Sequence, residues 1–367
     1  MNAFCLLFTD ISSNENIGTI SEHRSAASLP FGARYRLIDF ILSSLVYASV
    51  PNVGVIARNN YNSLVDHLGS GKDWDLNRKN GGMKILTPYA NATDEKQNRF
   101  EALNTIKPYI TSMLPEYCII SDSNIVTNID FNDVFKKHIE KGADITVVCH
   151  RATPTTGDTE ISYDENGRIT DVLYVSEDKD YEREIITKIY ILKKDFLLSL
   201  MEQAITYEWT DFNKDCIAKG VSKYKIYTYC HNEYCTVIKN LSNYYRANMD
   251  LLDVDIRNEL FKSNKRILTK IKDSVPITFG DNCNVRNSLI ADGCKIEGSV
   301  ENSIIFRDVH IKSGASIKNS IIMQGTTIDN DANMSYVILD KNIMVSKGRT
   351  LNGSENYPFV ISKGVTV

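Results

Sequence analysis

A four-residue core, Asn-Ser-(Leu/Ile)-Ile, recurs three times near the end of this 367-residue chain, at 287–290, 302–305 and 319–322. A unit this short cannot bury its own aliphatic side chains and must stack on its neighbours. Around the cores an aliphatic residue falls at about every sixth position, the spacing of hexapeptide repeats. Gly293, Gly314 and Gly325 stand where tight turns are needed, and helical periodicity is lost from residue 273 onward. The pattern predicts a parallel β-helix. A β-sandwich is the alternative, but the repeated core is more specific to the helix.

The first two-thirds of the chain alternates strand-like and helix-like segments. "FCLLFT" (4–9), "NVGVIA" (52–57), "YCIIS" (117–121) and "DITVVCH" (144–150) read as strands. Between them, 35–49 places Leu37, Ile38, Ile41, Leu42 and Leu45 on one helical face. Residues 95–113 and 131–142 also read as helical, with Gly142 as a stop. Such alternation predicts a mostly parallel sheet covered by helices. After residue 150 the pattern turns antiparallel, with a hairpin over 161–175 turned by Asp164–Gly167, a strand at 186–192 and helices near 194–206 and 240–253. The expected organisation is an α/β domain over 1–255, a linker over 256–272 and the β-helix over 273–367.

The net charge of −4, from 42 basic and 46 acidic residues, gives no reason to expect nucleic acid or a membrane surface as partner. No apolar run reaches the roughly 18 residues of a membrane span, and "MNAFCLLFTD" lacks the basic region and cleavage site of a signal peptide. A cytoplasmic protein is expected. The eight cysteines show no metal-ligand spacing along the chain, and the six histidines form no HExxH or HxH cluster. Free thiols and no metal are therefore expected.

An α/β unit followed by a β-helix resembles the plan of the ADP-glucose pyrophosphorylases, the glucose-1-phosphate adenylyltransferases. The resemblance is carried by "LPFGARYRLIDFILSS" (29–44), "WDLNRKNGGMKILTPY" (74–89), "FNDVFKKHIEKGADITV" (131–147) and "YYRANMDLL" (244–252). It implies a Rossmann-like, GT-A-like mixed sheet followed by a left-handed β-helix. It also implies the chemistry of that family: glucose 1-phosphate attacks the α-phosphate of ATP and releases pyrophosphate. That reaction needs backbone N–H groups around phosphates, cations, and carboxylates for Mg²⁺.

Those groups are missing at the matching positions. The Gly-rich phosphate loop falls on "TDISSNEN" (9–16), which has no glycine. Ala26 stands at the catalytic lysine, Asn124 at the first metal aspartate, Val175 at the sugar-phosphate lysine and Val237 at the second metal aspartate. A motif of small residues becomes "NRFE" (98–101). The chain thus resembles the GlgD-type, non-catalytic subunits of bacterial glucose-1-phosphate adenylyltransferase. No catalytic residue and no Mg²⁺ cofactor is expected.

The resemblance implies a hetero-oligomer, a tetramer, with a catalytic GlgC-type chain, tuned by a phosphorylated metabolite effector. His23, Arg24, Arg34 and Arg36 form a basic strip where the family binds such effectors, next to the β-helix, with a solvated or interface-paired cluster as the bland alternative. Arg58 and Asn124 mark a vestigial nucleotide pocket. Asp39 reads as a local structural partner, Trp74–Asp75 as part of the fold or an interface, and Tyr244–Tyr245 as core. Two other functions stay open: weak synthesis of ADP-glucose by this chain alone, and a pocket turned purely into an effector site.

Overall fold

The computed structural model describes residues 1–9, 17–57, 60–79, 81–88 and 98–367. Ala3–Phe8 is apolar throughout and buried along its whole length. It runs parallel between Asn52–Ile56 and Tyr117–Asp122, and Gly82–Leu86 extends the row beyond Asn52–Ile56. Unbroken apolar runs are what a strand covered on both faces requires. One face packs under Phe100, Leu103, Ile110, Leu197 and Leu200; the other packs under Ile38, Ile41, Leu42, Leu64 and Trp74.

The sheet then changes sense. Arg183–Lys193 runs antiparallel to both Tyr117–Asp122 and Ile145–Ala152. The hairpin Thr159–Tyr163 with Ile169–Tyr174 adds an antiparallel edge, and Ile226–His231 lies parallel to Ile145–Ala152. The result is one nine-stranded mixed sheet.

Three helices depart from the sequence expectation, each for a local reason. The first begins at Ile38 rather than at 35, because Tyr35–Arg36 pairs with Pro30–Phe31 across a turn with positive φ at Gly32 and Ala33. The 95–113 segment is two helices, Arg99–Thr105 and Lys107–Ser112. Pro108 disfavours a continuous helix before it and starts the second one well. The helix expected at 240–253 ends at Asp250, and Asp253 caps a further one, Val254–Leu260. No helix among the described residues is long and apolar enough to cross a membrane.

From Thr278 onward the strands form three five-stranded parallel sheets. Each repeated core makes one corner and one strand of a coil. Asn287, Asn302 and Asn319 take the corner with φ of 42–46°, a left-handed conformation that asparagine tolerates better than most residues. Each following serine hydroxyl accepts the N–H of the next coil: Ser303 N–H donates to Ser288 Oγ, Ser320 N–H to Ser303 Oγ and Val337 N–H to Ser320 Oγ, all at 3.1 Å. The aliphatic pairs then stack in register, Leu289–Ile290 on Ile304–Ile305 on Ile321–Ile322 on Ile338–Leu339. At the opposite corner Gly325 has φ of +73°, and a Cβ there would meet Asn342 Oδ1 at 2.4 Å.

The face carrying Ile304, Phe306, Ile321, Met323 and Ile338 packs against Ile20, Leu29, Phe31, Phe40 and Tyr244 in one apolar cluster. Polar ties flank it: Tyr245 Oη donates to the Asn319 carbonyl, and Arg24 pairs with Asp340 at 2.8 Å, the two side chains 4% and 2% exposed.

Candidate functional site

The carboxyl ends of the parallel strands, at Phe8, Ile56 and Asp122, frame the crevice where open α/β sheets bind ligands. The described residues place an ion pair there. Asn98 and Glu101 close a capping box at the start of Arg99–Thr105. The Arg99 guanidinium lies 4.4 Å from the centre of the Phe8 ring and pairs with the buried Asp122 at 2.5 Å. Lys188 approaches the other Asp122 oxygen at 3.9 Å. Burial alone would lower the Arg99 pKa; Asp122, with Tyr190 and Asp211 farther off, more than offsets it and raises the pKa.

The two positions where the resemblance expects metal carboxylates lie on adjoining segments, one residue out of register. Val237 lies opposite Ile125 on an antiparallel pair, and Ile238 N–H donates to the Asn124 carbonyl at 2.8 Å. Their side chains cannot do the same chemistry. Asn124 Nδ2 donates to the Ile238 carbonyl, its Oδ1 is buried without a hydrogen-bond partner among the described residues, and Val237 is buried in the apolar core. One amide oxygen and an isopropyl group do not fit Mg²⁺, which takes anionic oxygens, and the nearby Asp122 is held by Arg99. Ala26 and Val175 are likewise buried, Ala26 in the apolar junction with the β-helix. Beyond Val237, Lys239 does carry an amine, but it is committed to Asp158 and Thr155.

A second concavity lies where the Pro30–Arg36 hairpin and residues 269–272 meet the β-helix. It is an open groove of ≈ 450 Å³, counting space continuous with solvent, with Arg34, Arg36, Lys270, Lys272, Arg307 and Lys341 in its wall and no carboxylate. Two cations are engaged: Lys270 donates to the Asp66 carbonyl, and Arg307 pairs with Asp292 at 3.0 Å. Arg36 is oriented by neutral acceptors, the Ser28 and Ser63 carbonyls and Ser63 Oγ, which leave its charge in place. Asp39 sits behind it, accepting the Arg36 backbone N–H at 2.9 Å and lying 2.6 Å from His67 Nε2. Arg34, Lys272 and Lys341 have no ion pair among the described residues. The hydroxyl of Thr269, 8% exposed, has no partner either.

The crowding is visible in the acidities. Burial, then Arg36 and Arg24, push the Lys341 ammonium down to about 7. Burial lowers Arg36 to about 10, and burial with Arg36 and Arg307 lowers Lys272. An anion from outside would relieve this repulsion. Without one, Lys341 costs stability. Its folded pKa lies below the unfolded value of about 10.4, so between about pH 7 and 10 the unfolded chain binds more protons and stability rises with pH. Lys341→Gln is therefore expected to flatten that slope and raise the melting temperature at neutral pH, on the order of 2 °C. Calorimetry across that pH range measures both, and a lowered melting temperature would contradict the repulsion.

Of the basic residues singled out from sequence, Arg34 and Arg36 line the groove. Arg24 lies beneath it, committed to Asp340, and His23 is exposed outside it. Arg58 and residues 10–16 lie outside the described residues. Sequence reading missed Lys272, Arg307 and Lys341. A signal for two of them exists: Arg307, Gln324 and Lys341 stand seventeen residues apart and line the groove from successive coils.

Comparison with known proteins agrees with this architecture. Residues 17–254 match the nucleotidyl transferase family model, and residues 275–357 match the GlmU-like, C-terminal hexapeptide model, whose coils are the left-handed parallel β-helix. The chain belongs to the nucleotidyl transferase family and, within it, to the GlgD proteins of glycogen biosynthesis. It is 32% identical to the glycogen biosynthesis protein GlgD of Bacillus subtilis (strain 168), over 94% of this chain and 92% of that one. It is 36% identical to GlgD of Geobacillus stearothermophilus, over 95% and 93%. A glucose-1-phosphate adenylyltransferase of Fervidobacterium nodosum is 29% identical over 90% and 81%.

Proposed function

We propose that this chain is a regulatory subunit of glucose-1-phosphate adenylyltransferase in glycogen biosynthesis. In this reading it does not transfer adenylyl groups itself. It assembles in the cytoplasm with a catalytic GlgC-type chain, as a heterotetramer, and shifts that chain's affinity for substrate. The observation that carries the reading is an amide at Asn124 and an isopropyl group at Val237, on adjoining segments where the family resemblance expects two carboxylates. The Arg99–Asp122 pair in the crevice supports it. The basic groove supports a phosphorylated effector, because Arg34, Lys272 and Lys341 have no ion pair among the described residues and its position joins the two halves of the molecule.

The test is pyrophosphate release by the chain alone, by a catalytic partner alone and by the mixture. No turnover alone, and a changed substrate or effector response in the mixture, is expected. A coupling of 1–3 kcal/mol corresponds to shifts of about 5–150-fold in apparent affinity. Robust turnover by the chain alone would refute the reading and favour a weakly active enzyme built on Asp122 and the free Asn124 Oδ1. For the groove, inorganic phosphate should raise the melting temperature of the wild type and much less that of Arg34→Ala/Lys341→Gln. Because anion binding protonates Lys341, the effect should strengthen as pH falls through about 7.

A further inference from the structure

Two thiols and a carboxylate, distant in sequence, meet on a patch of sheet away from both the crevice and the groove. Cys149 and Cys230 are directly paired on the parallel strands Ile145–Ala152 and Ile226–His231. Glu184 opens the neighbouring strand Arg183–Lys193. Cys149 Sγ is 3.3 Å from Cys230 Sγ and 3.5 Å from Glu184 Oε2, and the three ligand atoms all lie within 4.8 Å of one another. Cys149 is buried, while Cys230 and Glu184 are half-buried, so the patch opens to solvent on one side. Glu184 has no cation partner among the described residues; its neighbour Arg183 is taken by Glu160.

Each sulfur has a hydroxyl beside it. Thr228 Oγ1 is 2.9 Å from Cys149 Sγ, and the Tyr163 hydroxyl is 3.4 Å from Cys230 Sγ, where it can donate. Thiolate is the form that ligates metals, and both hydroxyls can donate to it.

We propose that Cys149, Cys230 and Glu184 form a site for a thiophilic divalent cation of the zinc class, with the fourth position open to water. Tetrahedral bonds of about 2.3 Å to sulfur and about 2.1 Å to oxygen set S···S at about 3.8 Å and S···O at about 3.6 Å. The Cys149–Glu184 separation already matches, the two sulfurs must part by about half an ångström, and Cys230 and Glu184 start within 4.8 Å of each other. Sulfur ligands select against Mg²⁺ and Ca²⁺. Thr228 and Tyr163 would serve as outer hydrogen-bond donors to the two sulfurs. The metal displaces thiol protons to solvent, so affinity falls as pH is lowered. The ion would tie three strands together beside the register shift between Ile186 and Ile189.

The experiment uses the full chain, reduced and freed of metal. Titration with Cd²⁺ should saturate at one ion per chain, with an ultraviolet charge-transfer band from two cadmium–sulfur bonds, and Zn²⁺ should displace it. Cys230→Ser should cut the band by about half and weaken Zn²⁺ binding by about 100-fold or more, beyond the range of outer-shell losses. Glu184→Gln, on the half-buried side, should weaken it about tenfold or more. Cys283→Ser, at a half-buried cysteine elsewhere, should change neither. Binding that is absent in reduced wild type, or that is unchanged by both Cys230→Ser and Glu184→Gln, overturns the proposal. A Cys149–Cys230 disulfide in fresh protein whose reduced form takes up no Cd²⁺ does so equally.

Discussion

Arg24→Ala should destabilise the chain by about 3–5 kcal/mol, the usual cost of leaving one partner of a buried ion pair alone. Asp340 would remain 2% exposed at the junction, with its charge uncompensated. Asp340→Asn should be no milder, for a different reason. It frees Arg24 to act on a groove already crowded with cations, and Arg24 is one of the groups that lower Lys341 while Asp340 raises it. Replacing both, Arg24→Met with Asp340→Leu, should come back close to wild type, because Met323 and the apolar cluster around it offer packing for both side chains. Thermal and denaturant unfolding of the wild type, Arg24→Met, Asp340→Leu and their combination gives the cycle. Additive single losses with no recovery in the double variant would mean that the pair is not coupled.

Restoring the missing catalytic groups should not restore catalysis. Ala26→Lys, Asn124→Asp and Val237→Asp together put an amine and two carboxylates into positions that are 4%, 2% and 7% exposed. Ala26 now packs into the cluster that joins the α/β domain to the β-helix, so a lysine there must deprotonate or push the junction apart. Val237 lies in the apolar core opposite Ile125. The triple variant should lose at least about 3–5 kcal/mol, as for other uncompensated buried charges, and show no pyrophosphate release with Mg²⁺. Asp122 stays committed to Arg99 unless Arg99→Ala is added. Turnover by the triple variant alone would show that neither burial nor the Arg99–Asp122 pair blocks the reaction.

How much of this was legible depended on sequence separation. The Asn-Ser-(Leu/Ile)-Ile core foretold stacked coils, because the coil period is written into adjacent residues and each residue type suits its own place: asparagine the left-handed corner, serine the hydroxyl acceptor, isoleucine the interior. The apolar runs at 4–9 and 117–121 foretold buried parallel strands for the same reason. "NRFE" was read only as bulk in place of small residues. The Asn–x–x–Glu spacing of a capping box was present in it and predicts a helix start, though not that Arg99 would reach Asp122.

Helix and strand periods, caps and turn residues act within a few positions of the chain, so the sequence by itself determined the two kinds of layer and the order in which they come. Through its resemblance to the adenylyltransferases it also carries the expectation that Ala26, Asn124, Val175 and Val237 stand where the reaction needs lysines and carboxylates. Which charges face one another was decided only by the tertiary structure. Arg24 and Arg34 look alike in a basic strip, yet packing against the β-helix buries one against Asp340 and leaves the other open beside Lys341. Cys149 and Cys230 look unrelated, yet strand pairing sets them side by side. Electrostatics falls off over a few ångströms of space, and no local pattern in the chain records those distances.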